Sequence, residues 1–256
     1  MSAKLIKKYK KLGQRKYRQK ERRLLIEGFY LLEEAVKANL TLEVVFYTDH
    51  FLQMRGAENL LRVLEVSNLI KLDERAFDEI SHTETPQGVG AIAHLPEQNG
   101  DFINREDCFF LLLDGLQDPG NVGAIIRAAA AADLHGILLM PGTVDPFNPK
   151  AVRASMGGTF YIPVITEEAY FWLEVAAEKN IRLFAADAHG GIPYYEIDYN
   201  IPCGIIIGNE SRGISDFLLD RASVKTSIPL RGKINSLNAA VAASVFIFEA
   251  MRQRKH

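Results

Sequence analysis

Residues 228–250 read IPLRGKINSLNAAVAASVFIFEA and join a polar turn directly to one of the most apolar helical stretches in the chain. Ser236 or Asn235 can cap this helix, because short polar side chains satisfy free N–H groups at a helix start. A capping box would need Glu or Gln three residues after Ser236, where Ala239 stands. Capping does not explain Asn238, which the pattern places inside the first turn. A polar helix start also suits an anion or polar ligand, so the segment indicates a binding site.

The region around this segment alternates apolar strands with helices. Strands are predicted at 108–114, 136–141, 160–165, 182–187, 203–208 and 222–230, and helices at 121–132, 148–156, 167–180 and 237–252. Continuous apolar strands between helices are typical of a mostly parallel sheet covered on both faces. Ligands of such sheets bind in loops beyond the carboxyl ends of the strands.

A smaller α/β unit precedes this sheet. Helices are predicted at 22–39, 57–67 and 73–81, and strands at 42–48, 69–73 and 88–95. A polar stretch with proline and glycine follows, as is typical of a linker. We therefore predict a basic arm at 1–19, a first domain at 20–96, a linker at 97–107 and a second domain at 108–256.

The net charge of −2 hides a strong asymmetry. Residues 1–23 hold eleven Lys or Arg and one Glu, so the remaining residues carry −12. Such a dense basic segment favours a polyanionic partner over a merely solvated arm. Tyr9 and Tyr17 lie among these charges and could stack on exposed bases.

Several functional classes are excluded or disfavoured by composition. No run of 18 apolar residues predicts a membrane span, and no apolar segment follows the first charges as in a secretory signal. Cys108 and Cys203 open apolar runs and are interpreted as core residues rather than a disulfide or metal pair. We expect a cytoplasmic protein.

The common nucleotide and metal motifs are missing from the sequence. GVGAIA at 88–93 imitates a dinucleotide fingerprint, but Pro96 prevents the helix that should follow it. The chain contains no HExxH and no paired CxxC motif, and its six histidines are scattered, so no metal site is expected.

Two further polar loops follow predicted strands. In 114–133, Asn121 stands where it can cap a helix that presents Arg127, although Arg127 could instead pair with Asp133. In 203–215, Gly208 permits close approach of a ligand and Glu210 follows the strand end. The alternative there is a plain turn with a solvated glutamate.

In this order, the three loops resemble the signature motifs of the SpoU/TrmH class of SPOUT RNA methyltransferases. The matching stretches are DPGNVGAIIRAA (118–129), IIIGNESRGIS (205–215) and IPLRGKINSLNAAVAA (228–243). The first domain resembles the small ribosomal-protein-like RNA-binding domain of many members through KERRLLIEGFYLLEEAV (20–36) and TPQGVGAIAHLP (85–96). The resemblance implies an α/β SPOUT domain with a deep trefoil knot, S-adenosylmethionine as cofactor, methylation of ribose 2′-hydroxyls and a homodimer. The expected partner is a structured RNA, with rRNA favoured over tRNA.

The resemblance also implies roles for individual residues. The implied reaction centre comprises Asn121, Arg127, Glu210, Ser236 and Asn238. The implied cofactor-binding residues are Phe184, Ala185, Ala186, Gly208, Asn209, Ile228, Leu230, Leu237 and Asn238.

Arg127 is expected to bind a phosphate or stabilise negative charge, because its guanidinium is too weak an acid to serve readily as a base. The proton of the hydroxyl could pass to Glu210, to a phosphate oxygen or to water. A non-catalytic RNA-binding or ribosome-assembly protein on the same fold is the alternative function.

Overall fold

The computed structural model describes residues 3–64 and 68–254, with side chains from residue 5 onward. The end of the helix predicted at 57–67 and the first two residues of the predicted arm lie outside the described residues. The described residues form two sheets, with four and seven strands. Among the described residues, no helix is long and apolar enough to cross a membrane.

The first sheet has the strand order β1-β4-β2-β3 and is mixed, with only β2 and β3 parallel. Its strands are β1 Arg23–Glu27, β2 Leu42–Tyr47, β3 Leu69–Lys71 and β4 Val89–His94. The accompanying helices are α1 Ala3–Lys10, α2 Arg15–Glu21, α3 Phe29–Lys37, α4 Asp49–Leu52, α5 Ala57–Val63 and α6 Glu74–Ile80.

The helix predicted at 22–39 is wrong in its first third, where the structure has strand β1. Leu24, Leu25 and Ile26 are all buried, with Leu25 in one core and its two neighbours in another. Alternation between two cores is what a strand covered on both faces requires. Gly28 separates β1 from α3 with a φ of 99°, a backbone conformation that favours glycine.

The basic N-terminal segment is helical and packed, not an extended arm. Ile6, Tyr9 and Leu12 are buried in the core of the first sheet, and the Tyr9 ring lies 5.4 Å from that of Phe46. The hypothesis that Tyr9 stacks on exposed bases is therefore wrong, because its ring is already part of the core.

The predicted linker is also partly packed. Residues Asp101–Asn104 form a short 3₁₀ helix, and Phe102 and Ile103 contribute to the core of the second sheet. This segment is therefore anchored to the second unit.

The second sheet is entirely parallel, in the order β7-β6-β5-β10-β8-β11-β9. Its strands are β5 Phe109–Asp114, β6 Gly136–Leu139, β7 Val164–Ile165, β8 Arg182–Ala186, β9 Ile192–Pro193, β10 Cys203–Gly208 and β11 Val224–Ser227. The helices are α7 Pro119–Ala131, α8 Pro149–Ala154, α9 Ala169–Glu178, α10 Asp216–Leu219 and α11 Ala239–Gln253.

Both faces of this sheet are covered, as predicted for continuous apolar strands. Helices α7 and α11 pack over one face, while α9 and α10 cover the other. The strand predicted at 160–165 is reduced to β7, because Gly158–Phe160 forms a 3₁₀ turn. Strand β9 and helix α10 were not predicted; both are short and end in polar segments.

The two units share a packed boundary. Leu24 and Leu31 of the first unit cluster with Phe147, Val152 and Phe160 of the second. Arg18 forms a buried ion pair with Asp145, and the Tyr161 hydroxyl donates a 2.8 Å hydrogen bond to Glu34. This boundary fixes α8 close to strand β1.

Candidate active site

The three polar loops meet at the carboxyl edge of the second sheet. Strands β5 and β10 are neighbours, with Asp114 in register with Gly208. Their loops therefore leave the sheet side by side, as expected where parallel strands end. Helix α11 packs on α7 and β10, which brings its first residues to the same edge.

A chain of hydrogen bonds joins one residue from each loop. The Asn238 side-chain amide donates to Asn121 Oδ1 at 2.9 Å, and the Asn121 amide donates to Glu210 Oε1 at 2.7 Å. Each amide thus has a fixed orientation, since its nitrogen is committed as a donor. The arrangement leaves a carboxylate at one end of an oriented polar chain.

Asn121 does not cap α7, contrary to the interpretation that it could. Asp118 is the capping residue, and its carboxylate accepts a 2.7 Å hydrogen bond from Gly120 N–H. Pro119 begins the helix, where its missing N–H costs nothing. Asn121 therefore lies within the first turn, and its side chain is free to reach Glu210.

Asn238 does cap α11, so the prediction that capping could not explain it is wrong. Its Oδ1 accepts hydrogen bonds from Ala240 N–H at 2.9 Å and Val241 N–H at 3.3 Å. The helix begins at Ala239, two residues later than predicted. Asn238 therefore has two roles, since its amide nitrogen still reaches Asn121.

A cavity of about 440 Å³ lies beside this chain of hydrogen bonds. The proposed reaction-centre residues Glu210 and Ser236 line it. The proposed cofactor residues that line it are Ala186, Gly208, Asn209, Ile228, Leu230 and Leu237. Phe184 and Ala185 do not line the cavity, because both are buried in the cores on opposite faces of the sheet.

Gly208 and Asn209 shape one wall of the cavity. A Cβ on Gly208 would lie 2.4 Å from the carbonyl carbon of Gly213, so the loop can fold back only over a glycine. The Asn209 amide donates to the Gly115 carbonyl at 2.7 Å, while its Oδ1 accepts from Ser211 and Arg212 N–H. Asn209 therefore holds the loop in place.

Asp187 is a cavity-lining residue that the sequence analysis missed. It follows β8 directly, so its position beyond the carboxyl end of a parallel strand is the signal that could have identified it. Its carboxylate accepts a hydrogen bond from His189 N–H and forms an ion pair with Lys225. Both interactions lower the pKa of Asp187, which is therefore ionised at neutral pH.

Arg127 is exposed on the second half of α7. Within the described residues its guanidinium has no hydrogen-bond or ion-pair partner, and the pairing with Asp133 considered as an alternative does not occur. The side chain is thus available to an anion from outside the chain.

The two cysteines are free thiols inside the sheet. Burial raises the pKa of Cys108 to about 12 and that of Cys203 to about 11. Neutral buried thiols behave as small apolar residues, in agreement with their interpretation as core.

A parallel α/β sheet with a ligand-sized cavity at its carboxyl edge is the architecture in which α/β proteins bind small molecules. The chain belongs to the SpoU rRNA methylase family, whose model matches residues 108–248. Residues 3–91 match the MRM3-like substrate binding domain. The predicted family and the predicted α/β fold class are thereby confirmed.

Similar proteins match nearly the whole chain. It is 34% identical to the 23S rRNA (guanosine(2553)-2'-O)-methyltransferase RlmP of Bacillus subtilis, over 95% of this chain and 94% of that protein. It is 32% identical to a 23S rRNA (uridine(2479)-2'-O)-methyltransferase of Streptomyces viridochromogenes, over 95% and 87%. The crystal structure of the SpoU methyltransferase AviRb from Streptomyces viridochromogenes, in complex with the cofactor AdoMet, superposes with a TM-score of 0.86 at 30% identity, covering 99% of both chains.

Proposed function

We propose that this enzyme transfers the methyl group of S-adenosylmethionine to a ribose 2′-hydroxyl of 23S rRNA. The observation that carries the proposal is the hydrogen-bond chain Asn238–Asn121–Glu210, which joins all three loops beside the cavity. The enzyme is an S-adenosylmethionine-dependent RNA 2′-O-methyltransferase, as its family and its relatives indicate.

The cavity fits an adenosine-containing cofactor in size and chemistry. Its volume of about 440 Å³ lies within the range of small-molecule sites. We assign its apolar surface, formed in part by Ile228, Leu230 and Leu237, to the adenine ring. The ionised Asp187 suits the positively charged or hydroxyl groups of the ligand. The bound cofactor supplies a methyl group activated by a positively charged sulfur.

The chain's own residues then have to position and deprotonate the ribose hydroxyl. We assign Glu210 as the proton acceptor, because Asn121 holds one of its carboxylate oxygens and the residue borders the cavity. We assign Arg127 to the neighbouring phosphate, since a guanidinium without a protein partner suits bidentate phosphate binding. Ser236, whose hydroxyl has no hydrogen bond to a described residue, is assigned to the ribose.

Methyl transfer from radiolabelled S-adenosylmethionine to unmodified 23S rRNA tests the proposal. The wild-type enzyme is expected to make the phosphodiester bond 3′ to one ribose resistant to alkaline hydrolysis. The position of that bond identifies the methylated nucleotide. Arg127→Lys keeps the charge but loses the planar fork, and we expect at least a tenfold loss of kcat/KM, about 1.4 kcal/mol. Arg105→Lys, at an exposed arginine that pairs with Asp107 before the amino end of β5, is the matched control. Absence of transfer by the wild-type enzyme to any rRNA would refute the proposal.

RNA binding is assigned to the first domain, including the basic helices α1 and α2. Ile6 and Tyr9 of α1 face the core, while Lys7 and Lys8 of α1, Lys11 in the 3₁₀ turn after it and Lys16 of α2 are exposed. We expect their replacement by Gln to weaken RNA binding and to reduce its salt dependence, because fewer counterions are released. Deletion of the segment is a poor test, because it removes core residues.

We propose that the enzyme is a homodimer that buries the exposed face of α11. Val241, Phe248 and Met251 lie on this face and are exposed in the single chain. Light scattering is expected to give twice the mass of one chain, and Phe248→Glu to give a monomer.

The deep trefoil knot remains part of the proposal. Strand β10 lies between β5 and β8, whereas the chain beyond β11 returns across the cavity to place α11 on α7. This return path is what threading of the C-terminal segment would require.

A further inference from the structure

A second, separate cavity lies at the boundary between the two domains. It has a volume of about 570 Å³ and is formed by β1, the segment 82–87 before β4, and the end of α8. We call it the interdomain cleft; its principal lining residues are Glu27, Phe77, His82, Pro86, Arg153 and Met156. None of them lines the cofactor cavity.

Glu27 contributes a carboxylate oxygen that lacks a partner. Its Oε1 accepts a 2.7 Å hydrogen bond from His82 N–H. Its Oε2 is buried and accepts no hydrogen bond from any residue in the described parts of the chain. Burial raises the pKa of Glu27, while the hydrogen bond from His82 N–H, the neighbouring Ser81 hydroxyl and the positive charge of Arg153 oppose this effect. A buried acceptor without a donor is costly, and the cleft beside it has room for one.

Arg153 contributes a cation from the other domain. It lies in the last turn of α8 and lines the same cleft. Across residues 3–64 and 68–254, its guanidinium donates no hydrogen bond and forms no ion pair. The cleft is therefore lined by an acceptor from the first domain and by an unpaired fork of donors from the second.

The cleft also has apolar walls. Phe77, Pro86 and Met156 line it together with Glu27, Arg153 and the exposed Glu84. Apolar groups that line a cleft together with a hydrogen-bond acceptor and a cation match an unstacked nucleotide, whose base has a polar edge and whose phosphate is an anion.

The base that best complements a carboxylate is guanine. Its Watson–Crick edge presents two adjacent N–H donors, which match the two oxygens of a carboxylate. Uracil places its single N–H between two carbonyl oxygens, which a carboxylate repels. Adenine and cytosine each offer an amino donor beside a ring acceptor, so only one favourable contact forms.

We propose that the interdomain cleft binds an unstacked guanine nucleotide of the RNA substrate, with Glu27 accepting from the guanine edge and Arg153 contacting the phosphate. This nucleotide is distinct from the methylated one, and the inference rests on the proposed function. The cleft would thus select the sequence beside the target and hold both domains on the same RNA strand.

Ligand-observed NMR titrations of the full chain with mononucleotides test this inference. S-adenosylhomocysteine is present in excess, so that the cofactor cavity is not available to the nucleotide. We expect 5′-GMP to bind at least about fivefold more tightly than 5′-UMP, the lower range for a bidentate base contact. 5′-IMP, which lacks the 2-amino group, is expected to fall between them.

Two variants separate the base contact from the phosphate contact. Glu27→Gln should remove the preference for GMP over UMP. Arg153→Gln should weaken the binding of GMP and UMP by the same factor and leave the binding of guanosine, which has no phosphate, unchanged. The matched controls are Glu33→Gln on α3, which is half-buried, and Arg62→Gln on α5, which is exposed; both residues lie outside the cleft. If either cleft variant fails to fold, the other still tests its own contact.

The outcomes distinguish this inference from the proposed function. Equal binding of GMP and UMP to the wild-type protein, or a GMP preference that survives Glu27→Gln, would overturn the inference. Binding of S-adenosylmethionine is measured by calorimetry on the same protein preparations without S-adenosylhomocysteine. If the cofactor binds and rRNA is methylated but the preference is absent, only the cleft assignment fails. If neither cofactor binding nor methylation is observed, the proposed function itself fails.

Discussion

The two loops that enclose the cofactor cavity are held very differently. The loop 209–215 after β10 is fixed by paired backbone hydrogen bonds between Asn209 and Gly213 and by a 2.7 Å hydrogen bond from Ser215 N–H to Asp114. In the loop 228–237 before α11, by contrast, no residue forms a backbone hydrogen bond with a described part of the chain. We call the loop 209–215 the fixed wall of the cavity, because its own hydrogen bonds hold it in place. We call the loop 228–237 the open wall.

This difference indicates that the fixed loop positions Glu210, whereas the open loop responds to the ligand. Ordering a loop costs conformational free energy, about 1–2 kcal/mol for each fixed residue. The fixed loop meets that cost during folding, so Glu210 is placed before any ligand arrives. The open loop carries Ser236 and Leu237, and we expect it to become ordered only when the cofactor binds. Asn238, at its end, is the point where it joins the fixed part.

Gly208→Ala is the substitution in the fixed wall that we expect to destabilise the protein most. The new methyl group would lie 2.4 Å from Gly213 C and 2.5 Å from Ile214 N, so the backbone of the loop must move. We expect a loss of about 3 kcal/mol in the free energy of unfolding, the upper range for overpacking. Urea denaturation measures it.

Gly213→Ala is the control for this substitution. Gly213 has a φ of 72°, but a methyl group added there would have no neighbouring atom within 4 Å, so only backbone strain of about 1 kcal/mol is expected. If Gly208→Ala costs no more than Gly213→Ala, the close packing of this wall is not what fixes it.

Asn209→Ala tests the hydrogen bonds of the same wall. It removes the acceptor of Ser211 and Arg212 N–H and the donor to Gly115. We expect a loss of about 2 kcal/mol, because backbone groups of the turn lose their partners. Thermal unfolding measures the change, and hydrogen exchange of the 209–215 amides should accelerate. Unaltered exchange would mean that the backbone bridge alone holds the loop.

The sequence was sufficient to locate both walls. Small and polar residues that directly follow apolar strands, such as Gly208 and Glu210, predict a site, because strand ends at a parallel sheet face a common edge. It was not sufficient to show that the two loops differ in rigidity. That difference depends on Asp114, which bonds to Ser215 101 residues away, and no local pattern reports such a contact.

Sequence patterns also gave wrong predictions of secondary structure and exposure where one local signal masked another. The apolar spacing of Ile6, Tyr9 and Leu12 is helical, but the surrounding lysines suggested an exposed arm. The run Leu24 to Ile26 fitted both helix and strand, and only pairing with β4 makes it a strand. The role of Asn238 depended on a helix boundary, the least certain feature of any sequence pattern.

Asn238→Ala probes the junction between the two walls. Loss of the cap should reduce the free energy of unfolding by about 1 kcal/mol. Asn238→Asp keeps the acceptor for Ala240 and Val241 N–H but loses the donor to Asn121. We therefore expect Asn238→Asp to retain stability while methyl transfer falls. Equal loss of stability in both variants would show that the contact with Asn121, and not the cap, supports the fold.

The smallest effect on stability is expected in the open wall. Asn235→Ala should change the free energy of unfolding of the free protein by less than about 0.5 kcal/mol, because its side chain has no hydrogen-bond partner among the described residues. The same loop should respond most to the cofactor: hydrogen exchange of amides 230–237 is expected to slow when S-adenosylmethionine is bound, while amides 209–215 change little. Because the fixed loop already has its hydrogen bonds, any large new protection there would show that it, too, is ordered by binding.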